Sequence, residues 1–196
     1  MYRWMLGILL LAAALGACRQ QDTYHRTVAR ELATGVRNDS LFMGIYLGMS
    51  SKDFFTHCWE LNKQHIVTNG LGNNTVMYEM PTQFGQPAEM NFYPEFFEER
   101  VYRMPVRFHY RAWAPWNREL YSDSLQPKVI RLMEQWYGPG FFEMKDPERP
   151  DRPLQIKIDG NRQITVFCSD EQYVNVNFTD LIAERQRRQT QQAANR

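Results

Sequence analysis

The side chains best suited to metal binding or catalysis in this sequence are two histidines and a cysteine near residue 60. His57 and His65 are eight residues apart with Glu60 between them, whereas metal ligands on a helix are usually paired at a spacing of three or four. Cys58 adjoins His57, but neighbouring helix residues point about 100° apart, so the pair is poorly placed for proton transfer. We therefore predict no metal site, no cofactor and no enzymatic activity.

A second candidate site lies on a stretch that alternates like a strand. Arg107, His109 and Arg111 alternate with apolar residues, so they are expected to share one face of a sheet. Two guanidinium groups beside an imidazole suit a phosphate or a carboxylate. The simpler interpretation is a solvated face balanced by acids of the preceding turn, which are Glu95, Glu98 and Glu99.

Two tryptophans border this stretch. Trp113 ends the alternating run and Trp116 follows three residues later. Exposed indoles mark protein or glycan contacts, so both residues belong to the possible ligand contact formed with Arg107, His109 and Arg111. The alternative is that they pack in the connection between two halves of the chain.

The element order that must position these residues is helix, three strands, helix, then three or four strands. Ser50 followed by Asp53 is typical of a helix N-cap, and the second helix has Ser122 or Ser124 as its cap. The second helix is expected to bury a stripe formed by Leu125, Val129, Leu132, Met133 and Trp136. Pro105 predicts a bulge or an edge position within its strand.

This order predicts an α+β fold: two helix-plus-antiparallel-meander units, about 41–114 and 115–181, packed as a two-layer sandwich with the helices on one face. Residues 18–40 are polar and are interpreted as a tether, in which a short helix follows Asp22 and ends at Gly35. Residues 182–196 are rich in Gln and Arg without a hydrophobic period, so a disordered tail or a frayed helix is expected.

The first 18 residues indicate export. Arg3 supplies a positive charge, residues 5–15 are apolar, and polar sequence begins at Arg19. The apolar run is shorter than the roughly 20 residues that span a bilayer. Residues 15–18 read Leu-Gly-Ala-Cys, which resembles the lipobox of bacterial lipoproteins. That resemblance implies that residues 1–17 are a signal peptide and that Cys18 carries the lipid.

Arg19 stands where an inner-membrane retention signal has Asp, so the resemblance implies an outer-membrane lipoprotein that faces the periplasm. Residues 1–17 contain one base and no acid, leaving 22 basic and 22 acidic side chains. This balance does not suggest nucleic-acid binding. Cys58 and Cys168 also remain, and an oxidising compartment permits a disulfide between them. Two buried free thiols are the alternative.

The start Gly48-Met49-Ser50, opening a helix that a β-meander follows, resembles the SmpA/OmlA outer-membrane lipoproteins. Their layout is shared with the β-lactamase inhibitor protein, which carries two such units. The resemblance implies a non-enzymatic envelope lipoprotein that binds a protein partner. The alternative hypothesis is binding or sensing of a small anionic or glycan ligand by the residues around Arg107.

Overall fold

The computed structural model describes residues 22–70, 72, 74–146 and 152–195. The predicted signal peptide at 1–17 and the predicted lipidation site at Cys18 lie outside the described residues. The helices within that range are α1 (22–33), α2 (Ser51–Lys63), α3 (Ser122–Tyr137) and α4 (Leu181–Ala194). The strands are β1 (Thr68–Asn69), β2 (Val76–Met80), β3 (Ala88–Phe92), β4 (Glu95–Phe97), β5 (Arg100–Tyr110), β6 (Phe142–Met144), β7 (Leu154–Asp159), β8 (Arg162–Cys168) and β9 (Val174–Asp180). These elements confirm the predicted α+β class.

All nine strands belong to one antiparallel sheet in the order β1-β2-β3-β5-β9-β8-β7-β6, with β4 paired to one end of β5. The two predicted units meet where β5 of the first pairs with β9 of the second, from Arg103 opposite Thr179 to Phe108 opposite Val174. The halves therefore share one sheet and one hydrophobic core.

The core lies on the face of the sheet that α2 and α3 cover. Alternate residues of β5 and β9, such as Phe108 and Val176, are fully buried there. Helix α3 buries most of the predicted stripe, including Val129 and Met133, but Trp136 at its end is 41% exposed. The hydrophobic period therefore located this helix correctly and overestimated its buried length.

The helices of the two predicted units, α2 and α3, share one face of the sheet, and the opposite face carries α1 and α4, which lie in the segments predicted as tether and tail. Tyr24 of α1 donates a hydrogen bond to Gln163, and Glu184 of α4 forms an ion pair with Arg103. Gln163 and Arg103 alternate along their strands with the buried core residues Ile164 and Met104. Two helices on each face therefore enclose the sheet.

The segment interpreted as a tether is docked on the domain from residue 22 onward. Its helix ends at Gly35, whose φ is +68°, as predicted. Beyond that point, Arg37 bonds the buried carboxylate of Asp180 at 2.9 Å, and the Asn38 amide donates to Asn161 at 2.7 Å. The composition of the segment shows only that it is polar and does not predict these long-range bonds.

The carboxyl-terminal residues form helix α4, so of the two alternatives predicted for residues 182–196 the structure has the helix and not the disordered tail. The Asp180 carboxylate caps the helix by accepting from the amides of Ile182 and Ala183. Glu184 is buried and bonds Arg187 and Arg188 on its own helix. The helix is held by charged groups instead of an apolar stripe, which explains why a hydrophobic pattern misses it.

Pro105 lies in a central strand, and its missing N–H falls where the partner of β5 changes. Its carbonyl accepts from the Tyr93 amide, at the point where β3 ends and β4 takes over as the partner of β5. The side of Pro105 that lacks an N–H therefore faces this gap. A register shift between Glu95 and Phe96 accompanies the change of partner.

The start of α3 differs from the predicted serine cap. The N-cap position is Tyr121, which makes no side-chain cap bond. The Ser122 hydroxyl donates to the carbonyl of Asp170, and Ser124 lies inside the first turn. The β8–β9 turn therefore binds the helix start in place of a local cap.

Candidate functional site

Neither cysteine is arranged for nucleophilic chemistry. Both are buried thiols outside any disulfide, so the structure has the two-thiol alternative and not the bond between Cys58 and Cys168. Burial raises the pKa of Cys58 to about 11 and also raises the pKa of Cys168. His57 is engaged elsewhere, since its Nε2 lies 2.6 Å from the Met43 carbonyl oxygen.

The described residues contain no cluster of three or more His, Cys, Asp or Glu side chains suited to a metal ion. Among the same residues, every helix is too short or too polar to cross a bilayer.

The structure places Arg107 and His109 on one face of β5, as predicted, and Arg111 just beyond the strand. The acids that balance this group are Glu79 and Glu89, not the predicted Glu95, Glu98 and Glu99. Arg111 bonds both of them, and Glu89 also lies 3.5 Å from His109. The pairing register of β2, β3 and β5 brings these acids in from distant parts of the chain.

His109 is buried within this group. Burial lowers its pKa, and the nearby cations Arg107 and Arg111 act in the same direction, while Glu89 opposes them. The imidazole is therefore neutral at pH 7. Its Nδ1 atom is buried without a hydrogen-bond partner among the described residues.

Arg107 differs from Arg111 because it forms no ion pair with any described residue. Its guanidinium lies 5.0 Å from the centre of the Tyr173 ring, and its side chain is exposed. It lines a cavity of about 190 Å³ together with Asn91, Asn175, Thr75 and others. We call this cavity the polar pocket.

The two tryptophans predicted beside Arg107 do not line the polar pocket. Trp113 donates from its indole N–H to the Glu171 carbonyl, and its ring stacks near Tyr121 at 6.1 Å. Trp116 is 85% exposed. Of the five residues of the predicted contact, Arg107 is the one that lines the polar pocket.

The sequence interpretation missed a group of exposed aromatic rings beside α2. Phe55, Trp59 and Tyr93 are 48%, 58% and 41% exposed. The Phe55 ring lies 6.4 Å from that of Tyr93 and 6.0 Å from that of Phe96. Phe55 and Trp59 sit at a helical spacing of four beside the core stripe, which was the one signal available.

A cavity of about 520 Å³ opens beside two of these rings, those of Phe55 and Tyr93. Its wall includes Phe54, Phe55 and Cys58 from α2, with Val76 and Tyr93 from the sheet. We call this cavity the aromatic groove. Trp59 lines an adjoining cavity of about 190 Å³ that shares Cys58 and Val76 with the groove. The ammonium of Lys63 lies 3.2 Å from the centre of the Trp59 ring, a cation–π contact that holds the indole on the surface.

The Gly48-Met49-Ser50 start fixes α2 in place beside the groove. The Gly48 amide donates to the Val101 carbonyl at 2.7 Å, and the Val101 amide donates to Met49 at 2.9 Å. Gly48 has a φ of +82°, which other residues rarely adopt. Ser50 then caps the helix as predicted, accepting from the Asp53 amide at 3.1 Å. The motif therefore ties the helix start to β5.

Comparison with protein-family models, curated proteins and solved structures found no match to this chain. The resemblance to the SmpA/OmlA lipoproteins remains a prediction, and a functional assignment rests on the chain's own residues.

Proposed function

We propose that this chain is a non-catalytic, lipid-anchored protein of the bacterial cell envelope, and that it binds a segment of a protein partner in the aromatic groove. The observation that carries the proposal is the exposure of Phe55 and Tyr93 at a preformed cavity, with exposed Trp59 lining the smaller cavity next to it. Tryptophan and tyrosine are enriched among the residues that dominate protein–protein binding energy.

The rings have the features of binding anchors. They are mounted on regular elements, since Phe55 and Trp59 belong to α2 and Tyr93 follows β3 directly. Each ring still exposes about half of its surface, which a partner can remove from water. Phe55 and Tyr93 at the groove, with Trp59 one turn further along α2, therefore supply the apolar centre of an interface without rearrangement of the backbone.

The membrane part of the proposal rests on the residues that resemble a lipobox, with lipid on Cys18 and the outer membrane, on its periplasmic side, as the destination. Helix α1 is docked on the sheet from residue 22. Four residue steps from Cys18 to Asp22 span at most about 14 Å. An anchor at Cys18 therefore holds the domain close to the lipid surface.

Site-specific photocrosslinking in intact cells tests the groove. A benzophenone amino acid is placed at Trp59 and, as a matched control, at Trp116, which is also an exposed tryptophan. We expect a discrete adduct with one protein from Trp59 only, and its loss when Phe55→Ala is added. Identical adducts from both positions, or an adduct indifferent to Phe55→Ala, contradict the groove.

Metabolic labelling with a clickable fatty acid tests the anchor separately. We expect Cys18→Ser to abolish labelling and to release the protein from the outer-membrane fraction of a density gradient. The control is Cys58→Ser, which alters a thiol of the folded domain. Unchanged labelling and fractionation of the Cys18→Ser chain contradict the anchor and leave the groove untouched.

A further inference from the structure

The aromatic groove and the polar pocket are neighbours. Both are lined by Thr75 and Tyr93. The Tyr93 ring faces the groove, where it lies 6.3 Å from the ring of Phe54. A ligand that fills the groove beside Tyr93 therefore reaches the entrance of the polar pocket.

Arg107 brings an unneutralised positive charge to this pocket. The residues opposite it on the two adjacent strands are Asn91 and Asn175, neither of which carries a charge. Two residues further along β5, on the same face, His109 lies opposite Glu89. Acids are thus placed beside His109 and Arg111, while the cross-strand positions beside Arg107 are amides.

The pocket also offers an unused hydrogen-bond donor. The side-chain nitrogen of Asn175 is buried and has no hydrogen-bond partner among the described residues. A buried donor without a partner is unfavourable until it is satisfied. Together with the guanidinium of Arg107, it presents N–H groups that suit the two oxygens of a carboxylate.

We infer that the polar pocket binds an acidic side chain of the same partner segment whose aromatic or large aliphatic side chain fills the aromatic groove. The inference rests on the proposed function and specifies its ligand. An acidic side chain fits better than a chain-terminal carboxylate, which proteins usually capture with a nest of free backbone N–H groups. Arg107 belongs to a strand that is paired on both sides, so its surroundings offer no such nest.

Two isosteric peptides test this specificity. Acetyl-Phe-Glu-amide and acetyl-Phe-Gln-amide differ by one charge, and their binding to the mature chain in detergent is measured by ligand-detected NMR. We expect the glutamate peptide to bind about tenfold more tightly. A hydrogen bond to a charged group contributes enough free energy to change an affinity by that factor or more. Arg107→Gln removes the preference. Arg111→Gln is the matched control and preserves the preference, because the charge of Arg111 is already paired with Glu79 and Glu89.

The outcomes separate this inference from the function it extends. Equal binding of the two peptides, both weakened by Phe55→Ala, overturns the acidic-residue inference and supports the groove. A glutamate preference that survives Arg107→Gln also overturns the inference. Binding of neither peptide, or binding indifferent to Phe55→Ala, overturns both. Decanoate supplies a carboxylate on an aliphatic chain, and its binding ahead of the glutamate peptide identifies a lipid occupant and refutes a peptide one.

Discussion

Replacement of Gly160 by alanine tests whether the segment after α1 is part of the folded domain. Gly160 lies in the turn between β7 and β8 with a φ of +57°. A Cβ added there is placed 2.3 Å from the carbonyl oxygen of Val36. That atom is backbone and cannot swing aside like a side chain, so either the turn or the segment must move.

The expected loss of stability has two parts. The left-handed backbone costs an L-residue about 1–2 kcal/mol. Movement of the segment also breaks the bond from the Asn38 amide to Asn161, its side-chain bond to the Asp159 carbonyl, and the bond from Gly160 to Glu31. Each bond contributes about 1 kcal/mol. Gly160→Ala therefore lowers the free energy of unfolding by roughly 4–5 kcal/mol.

Gly85→Ala is the matched control, because Gly85 has a φ of +80° and open space around its Cβ position. It should lose only the backbone part, about 1–2 kcal/mol. Urea unfolding measures both variants, and trypsin cleavage after Arg30 and Arg37 reports release of the segment. Equal losses in the two variants, with no gain in cleavage for Gly160→Ala, refute the docked segment.

Three further predictions concern titratable groups. Burial disfavours the charged form of Glu184, but Arg187, Arg188 and Arg103 together lower its pKa, so it stabilises the fold above about pH 4.5 and loses this effect as the pH falls. Glu184→Gln should lower the free energy of unfolding in urea by about 1–3 kcal/mol at pH 7. It should also weaken the decline of that free energy at acidic pH, and an unchanged decline contradicts this. The lowered pKa of His109 also predicts lower stability at acidic pH. The unfolded chain binds the proton more readily than the folded chain, so stability declines as the pH falls below about 6.5. His109→Gln should remove that decline in a series of melting curves, and an unaltered profile argues against the burial. Cys58, with its pKa near 11, should resist iodoacetamide at pH 8 in the native chain and react after unfolding, as intact mass shows; rapid native labelling contradicts its environment.

Local signals in the sequence were enough to predict the elements that carry an apolar pattern. Ser50 caps α2 as its spacing with Asp53 indicated, and alternation along β5 placed Arg107 and His109 on one face. Each of these features depends on residues within a few positions of one another.

Features that depend on distant pairing could not be predicted in this way. The acids that neutralise Arg111 come from β2 and β3 through sheet register, and not from the turn nearest in sequence. Helix α4 is held by ion pairs of Glu184, a residue type that hydropathy assigns to solvent. The isolation of Arg107 from acids has the same origin, because it depends on which residues register places opposite it.

Docking of α1 limits where a partner can be found. A free segment of residues 18–40 would let the domain explore tens of ångströms from its anchor, so the aromatic groove would meet soluble proteins throughout the compartment. With α1 fixed to Gln163 and the following residues bonded to Asn161 and Asp180, an anchor at Cys18 leaves about 14 Å of connecting chain. A groove held so near the lipid surface has the highest effective concentration toward proteins of the same membrane. The segment with paired aromatic and acidic side chains is therefore best sought in the membrane-proximal parts of those proteins.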